Sequence, residues 1–99
     1  MKKPNFFIIG APKCGTTSLA HWLSLHPQIY MSPVKEPNFF NHDFKYRLPL
    51  EKYEQLFEHA TAEHKAIGEA SVWYLYSKTA VANIENYVKT SRFIVCLRD

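Results

Sequence analysis

Apolar residues enter this chain in two rhythms. Phe6-Phe7-Ile8-Ile9 is an unbroken run bounded by Pro4 and Gly10, the pattern of a strand covered on both faces as parallel sheets require. From Thr17 the period changes, and Leu19, Trp22, Leu23 and then Leu25 or His26 recur at helical spacing until Pro27 stops them. The chain therefore opens as strand, glycine-containing loop, helix.

The same two rhythms recur further on. Ile29-Tyr30-Met31 reads as a short second strand, and Lys35 to Phe40 as a loop, because Pro37 turns Glu36 away from helix. Residues 41–49 read as irregular. Leu50 to Ala60 brings Tyr53, Leu56 and Phe57 onto one helical face, with Glu51 placed to suit the dipole at its start. Ala66 to Ala70 reads as a strand, followed by the aromatic stretch Trp73 to Tyr76. Thr79 to Tyr87 forms a helix presenting Val81, Ile84 and Val88, and Arg92 to Leu97 is the second strand expected to be buried. Strands alternating with helices predict an α/β class, a three-layer αβα arrangement on a parallel sheet. Asp99 follows a strand that ordinarily leads into a ligand loop and a further helix. Residues 1–99 are accordingly expected to be the N-terminal part of one domain that continues past Asp99.

Composition narrows the classes only slightly. With 46% apolar and 21% charged residues the chain has the make-up of a folded domain. A net charge of +3 carried by scattered basic residues suits a small anion and makes a weak case for nucleic acid. Cys14 and Cys96 have neither metal-ligand spacing nor the density of a disulfide framework, which points to a reducing, cytoplasmic compartment. The apolar run after Met1-Lys2-Lys3 is too short for a signal peptide or a membrane span. The five histidines show no metal-ligand pairing; His42, after Phe39-Phe40, is the one to weigh as a base.

The chemistry begins in Gly10-Ala11-Pro12-Lys13-Cys14-Gly15-Thr16-Thr17, between the first strand and the first helix. Two glycines allow a tight turn in which backbone N–H groups and a helix N-terminus converge on a phosphate, with Thr16 and Thr17 adding hydroxyls. The spacing approaches the generic phosphate loop G-x-x-x-x-G-K-[ST], yet position 16 is Thr where that motif has Lys, and the cation sits at Lys13.

The string Pro12-Lys13-Cys14-Gly15-Thr16-Thr17-Ser18-Leu19 resembles the 5'-phosphosulfate-binding loop of sulfotransferases that use 3'-phosphoadenosine-5'-phosphosulfate (PAPS). Three further segments resemble the same family in order, especially its heparan-type and bacterial carbohydrate-acting members: Lys35 to Phe40, Gly68-Glu69-Ala70-Ser71, and Phe93 to Asp99. The resemblance implies a P-loop-like sulfotransferase fold, PAPS as donor co-substrate, 3'-phosphoadenosine-5'-phosphate (PAP) as product, and no metal. It implies donor contacts from Lys13, Cys14, Gly15, Thr16, Thr17 and Ser18, with Arg98 gripping the 3'-phosphate. Cys14 and Ser18 depart from the family's usual Ser and Trp. It further implies Lys13, Lys35 and Glu69 as catalytic residues, Glu69 taking the acceptor proton, and Lys35, Phe39, Phe40 and Tyr74 on the acceptor side.

Such a protein moves a sulfuryl group to a hydroxyl or amine of a carbohydrate or small molecule. Two rival readings remain: a P-loop kinase or NTPase, favoured by the glycine spacing and by Asp99 at the end of an apolar strand, and a non-catalytic nucleotide-binding module.

Overall fold

In the computed structural model, which describes residues 3–10, 15–34, 36–43 and 48–96, the expected alternation is present. The elements run β1 (Phe6–Gly10), α1 (Thr16–Ser24), β2 (Ile29–Met31), α2 (Leu50–Gln55), β3 (Ala66–Ala70), a 3-10 helix (Val72–Tyr76), α3 (Ala80–Tyr87) and β4 (Arg92–Val95). All strand pairings are parallel, and the strand order is β2-β3-β1-β4. The unbroken run at Phe6–Gly10 has its reason here: β1 lies between two neighbours and is buried at every position.

The order fixes where a ligand can go. The connection leaving β1 runs toward the β2 edge, while the one leaving β3 passes β1 to reach β4. Right-handed crossovers that travel in opposite directions place their helices on opposite faces, and the chain parts between β1 and β3 at their C-terminal ends. Helix α1 packs on β2 and β3 on one face. On the other, Phe7 pairs in register with Glu69 and with Phe93. Against that row lies an aromatic core in which Phe39, Phe40, Tyr53, Phe57 and Tyr74 join Ile84 of α3.

Several expectations change in detail. The helix read from Leu50 to Ala60 keeps helical bonding only to Gln55 and then continues as turns. Trp73 to Tyr76 is part of a 3-10 helix that buries Tyr74 and turns Trp73 and Tyr76 outward. Trp22, on the expected core face of α1, is 68% exposed, and Val81 of α3 is exposed as well. Strand β4, read as buried, stands at an edge of the described sheet with Arg92 and Val95 exposed.

Candidate active site

Gly15 closes the loop that leaves β1. It caps α1 with φ 80, in the left-handed region that favours glycine, and its carbonyl accepts the N–H of Leu19 at 3.1 Å. No side chain caps this helix start, and no acidic residue occupies its first turn. The N-terminal end of α1 therefore presents backbone donors and the positive end of its dipole to whatever sits in the turn. Thr16 is buried, while Thr17 and Ser18 face outward. A cleft of 510 Å³ opens beside them, bounded by Thr17, Ser18, Met31, Ser32, Val34 and Ala70. At the other end of the loop, Gly10 is close-packed: a Cβ there would stand 2.8 Å from the Leu75 side chain.

Lys13, Cys14, Lys35 and Arg98 lie outside the described residues, so of the expected donor and sulfuryl contacts the structure places Gly15, Thr16, Thr17 and Ser18. These four share the C-terminal end of the sheet with the loop that follows residue 35. Glu36 donates its N–H to the carbonyl of Ala70 at 3.1 Å, directly past the end of β3. It has φ 56, and Asn38 has φ 52, so two non-glycine residues flanking Pro37 take the left-handed conformation. The Glu36 carboxylate is half-buried and accepts the N–H of Val72 at 3.2 Å. Burial pushes its pKa above the usual carboxylate range, and the Val72 N–H partly offsets that.

Glu69 has a different setting. It points from β3 into the aromatic face, is 0% exposed, and accepts three hydroxyls: Ser71 on Oε1 at 2.6 Å, Tyr53 on Oε2 at 2.6 Å and Tyr74 on Oε2 at 2.9 Å. Burial raises its pKa to about 7 despite those donors, and the Glu36 charge adds to the rise. A base must touch the proton it removes. In this chain the carboxylate is enclosed by Tyr53, Ser71 and Tyr74, and a pKa near 7 lies in the range of a general base.

The expected acceptor-side aromatics are also interior residues. Phe39, Phe40 and Tyr74 are buried; Phe39 stacks on Tyr53 at 4.6 Å, and Phe40 meets Phe7 edge-on at 5.8 Å. Their rings build the wall beneath the loop, and Phe39 and Phe40 also border a 340 Å³ surface cleft with His42, Leu50 and Tyr87. His42 is exposed, with its ring edge-on to Phe39. Sequence reading passed over Glu36 as a chemical group; the signal available for it was its place beside Lys35 ahead of a proline and an aromatic pair. Among the described residues no cluster of three His, Cys, Asp or Glu could hold a metal ion, and no helix is long and apolar enough to cross a membrane.

An uncapped helix N-terminus behind left-handed Gly15 and a half-buried carboxylate at one end of a parallel sheet are features of a ligand-binding α/β protein. The sequence profile described as the Sulfotransferase family matches residues 4–97, and the chain belongs to that family. It is 37% identical over 98 residues to the membrane-associated sulfotransferase kil1 of Dictyostelium discoideum, covering 97% of this chain and 20% of that protein. It is 33% identical over 96 residues to heparan sulfate glucosamine 3-O-sulfotransferase 3A1 of Mus musculus, covering 97% of this chain and 23% of the other. The fold superposes on the crystal structure of a sulfotransferase from Alicyclobacillus acidocaldarius with a TM-score of 0.86 and 32% identity, over 96% of this chain and 44% of that one. The chain thus spans about a fifth of the length of these curated relatives.

Proposed function

We propose that the protein containing this chain is a PAPS-dependent sulfotransferase acting on a hydroxyl or amine, with a carbohydrate as the favoured acceptor class. The observation that carries the reading is the uncapped N-terminus of α1 behind left-handed Gly15, in a chain of the Sulfotransferase family. Relatives named for heparan sulfate support the carbohydrate acceptor. Thr16, Thr17 and Ser18 with the first-turn N–H groups hold the 5'-phosphosulfate, and Arg98 holds the 3'-phosphate. A cytoplasmic location belongs to the same proposal and rests on the sparse, widely separated cysteines.

The donor supplies an activated sulfuryl group on a phosphate leaving group. In the transfer, the acceptor oxygen or nitrogen bonds to sulfur while the bond from sulfur to the bridging phosphate oxygen breaks. The electron pair leaves with PAP, whose growing charge Lys13 and the loop donors stabilise. Lys35 steadies the sulfuryl oxygens. Glu69 takes the acceptor proton: burial lifts its pKa to about 7, a useful range for a base, and the Glu36 carboxylate at the end of the sheet adds to that rise.

Calorimetry on the full-length protein with PAP and with magnesium ATP, followed by sulfate transfer from labelled PAPS, tests the whole reading. Tight PAP binding and transfer to an oligosaccharide are expected. Glu69→Gln should cut turnover on the order of 100-fold to 10,000-fold while PAP affinity stays within a few fold. Magnesium-dependent ATP binding without a response to PAP would favour the kinase alternative, and PAP binding without transfer to any acceptor would favour a binding module.

A further inference from the structure

The α1 side of the sheet carries a large ring left mostly uncovered. Ser18 and Trp22 stand one turn apart on α1, about 6 Å along its axis, and both border the 510 Å³ cleft. Trp22 is exposed there, although an indole is among the side chains with most apolar area to bury. The opposite wall is the turn after β2, and it is held firmly. Ser32 donates its N–H to the Gly68 carbonyl at 2.9 Å, while its Oγ donates to the Val34 carbonyl at 2.9 Å and accepts the Val34 N–H at 3.2 Å. Pro33 and Val34 are thereby presented to the same space, whose volume suits a small organic ligand.

Strand order points to which ligand. The turn closed by Gly15 leaves β1, with β4 on one side of that strand and β3 and then β2 on the other. Arg98, proposed above as the 3'-phosphate contact, follows β4 in the chain, which directs the donor's nucleoside toward that side. The cleft lies on the β2 side, with Met31 and Ala70 from the ends of β2 and β3 in its wall. Donor and cleft then meet at Thr17 and Ser18, beside the phosphosulfate end, and the rest of the cleft is left for the acceptor. Among the described residues on its walls His21 is the one ionisable side chain, so no fixed charge there compensates a carboxylate or sulfate for lost water. An aromatic face with hydroxyls at one end instead matches a neutral sugar, whose ring C–H groups pack on an indole while its own hydroxyls stay wet.

We infer that the cleft between α1 and the turn after β2 is an acceptor subsite that takes a neutral sugar ring stacked on Trp22. This rests on the sulfotransferase reading and names the acceptor class for the same site. Trp22 is then a specificity-determining residue in contact with substrate, and an anionic glycan is a poorer acceptor than a neutral one. Leu25 supplies a control: it caps α1 and is as exposed as Trp22, but it is not part of the cleft wall.

The test uses the full-length protein, labelled PAPS and a panel of neutral oligosaccharides of glucose, galactose, mannose and N-acetylglucosamine, with a heparan sulfate oligosaccharide as the anionic comparison. A neutral member of the panel should be sulfated with kcat/KM on the order of 10-fold above the heparan one. For that acceptor Trp22→Ala should raise KM on the order of 10-fold with kcat within a few fold, and Trp22→Phe should recover most of the loss. Leu25→Ala should leave KM within about twofold, and PAP affinity in calorimetry should be unchanged in all three variants. Preference for the heparan oligosaccharide, or transfer to no neutral member, overturns the inference. So does a KM that Trp22→Ala leaves alone or that Leu25→Ala moves equally. PAP binding that weakens in step with KM in Trp22→Ala also overturns it, by giving the ring to the donor. A full-length protein that neither binds PAP nor transfers sulfate refutes the sulfotransferase reading and the inference with it, whereas PAP binding and transfer with an unmoved KM refute the inference alone.

Discussion

The two faces of the sheet are finished in opposite ways. On the α2 and α3 side, aromatic rings close over Phe7, Glu69 and Phe93 until Phe40 is 2% exposed and Glu69 is 0% exposed. On the α1 side, Trp22 and Leu25 face outward and a 510 Å³ cleft separates the helix from the segment after β2. One face spends its residues on rigidity; the other leaves room. The carboxylates follow the same division, Glu69 locked in the closed face and Glu36 carried above it at the rim, where ligands of parallel α/β sheets collect. The comparison teaches that a closed layer can fix the loop above it while the open face keeps room for a ligand.

Large truncations should separate the faces most sharply. Phe40→Ala removes a ring in contact with Phe7, Tyr53 and Tyr74 and should destabilise the fold by about 3–5 kcal/mol in urea titrations. Trp22→Ala should stay within about 0.5 kcal/mol. A comparable loss from Trp22 in the full-length protein would sharpen the picture, since it would mean that other parts of the protein cover α1.

A pH scan probes the closed face through its buried carboxylate. The pKa of Glu69 is near 7 in the fold and about 4.5 as an ordinary glutamate, so the folded state binds the extra proton in between. Stability from this group is therefore full below about pH 4.5 and is lost as pH rises through about 7, by about 3 kcal/mol in all. Chemical unfolding at pH 5 and pH 8 should differ in that direction, and Glu69→Gln should flatten the difference. The same slope in both proteins would show that Glu69 is not the source. A smaller loss is expected from Gly15→Ala at the open face, which forces a Cβ into the left-handed region at φ 80 and should cost about 1–2 kcal/mol, with weaker PAP binding in calorimetry. A neutral outcome would mean that the turn after β1 can close in another conformation.

Much of this molecule can be read along the chain, because strand, helix and turn preferences are local. The run at Phe6–Ile9, the helical period after Thr17, Gly15 ahead of paired threonines and the strand at Ala66–Ala70 all appear where expected. Burial is harder to read. Trp22 fits an apolar helical stripe, but its exposure depends on what lies across from α1, and β4 reads as interior although it borders one strand in the described sheet. The candidate site divides along the same line. The anion turn is a continuous segment and could be read in order, whereas the surroundings of Glu69 are assembled from Tyr53, Ser71 and Tyr74.

From the sequence by itself come the α/β alternation, the phosphate-type turn and the four ordered segments that resemble sulfotransferases, because each is a pattern among near neighbours. Which carboxylate is sealed and which faces the ligand end was decided only by tertiary structure. The hydroxyls that enclose Glu69 and the N–H groups that depend on them come from segments separated by as many as 35 positions, and only folding brings them within hydrogen-bond distance.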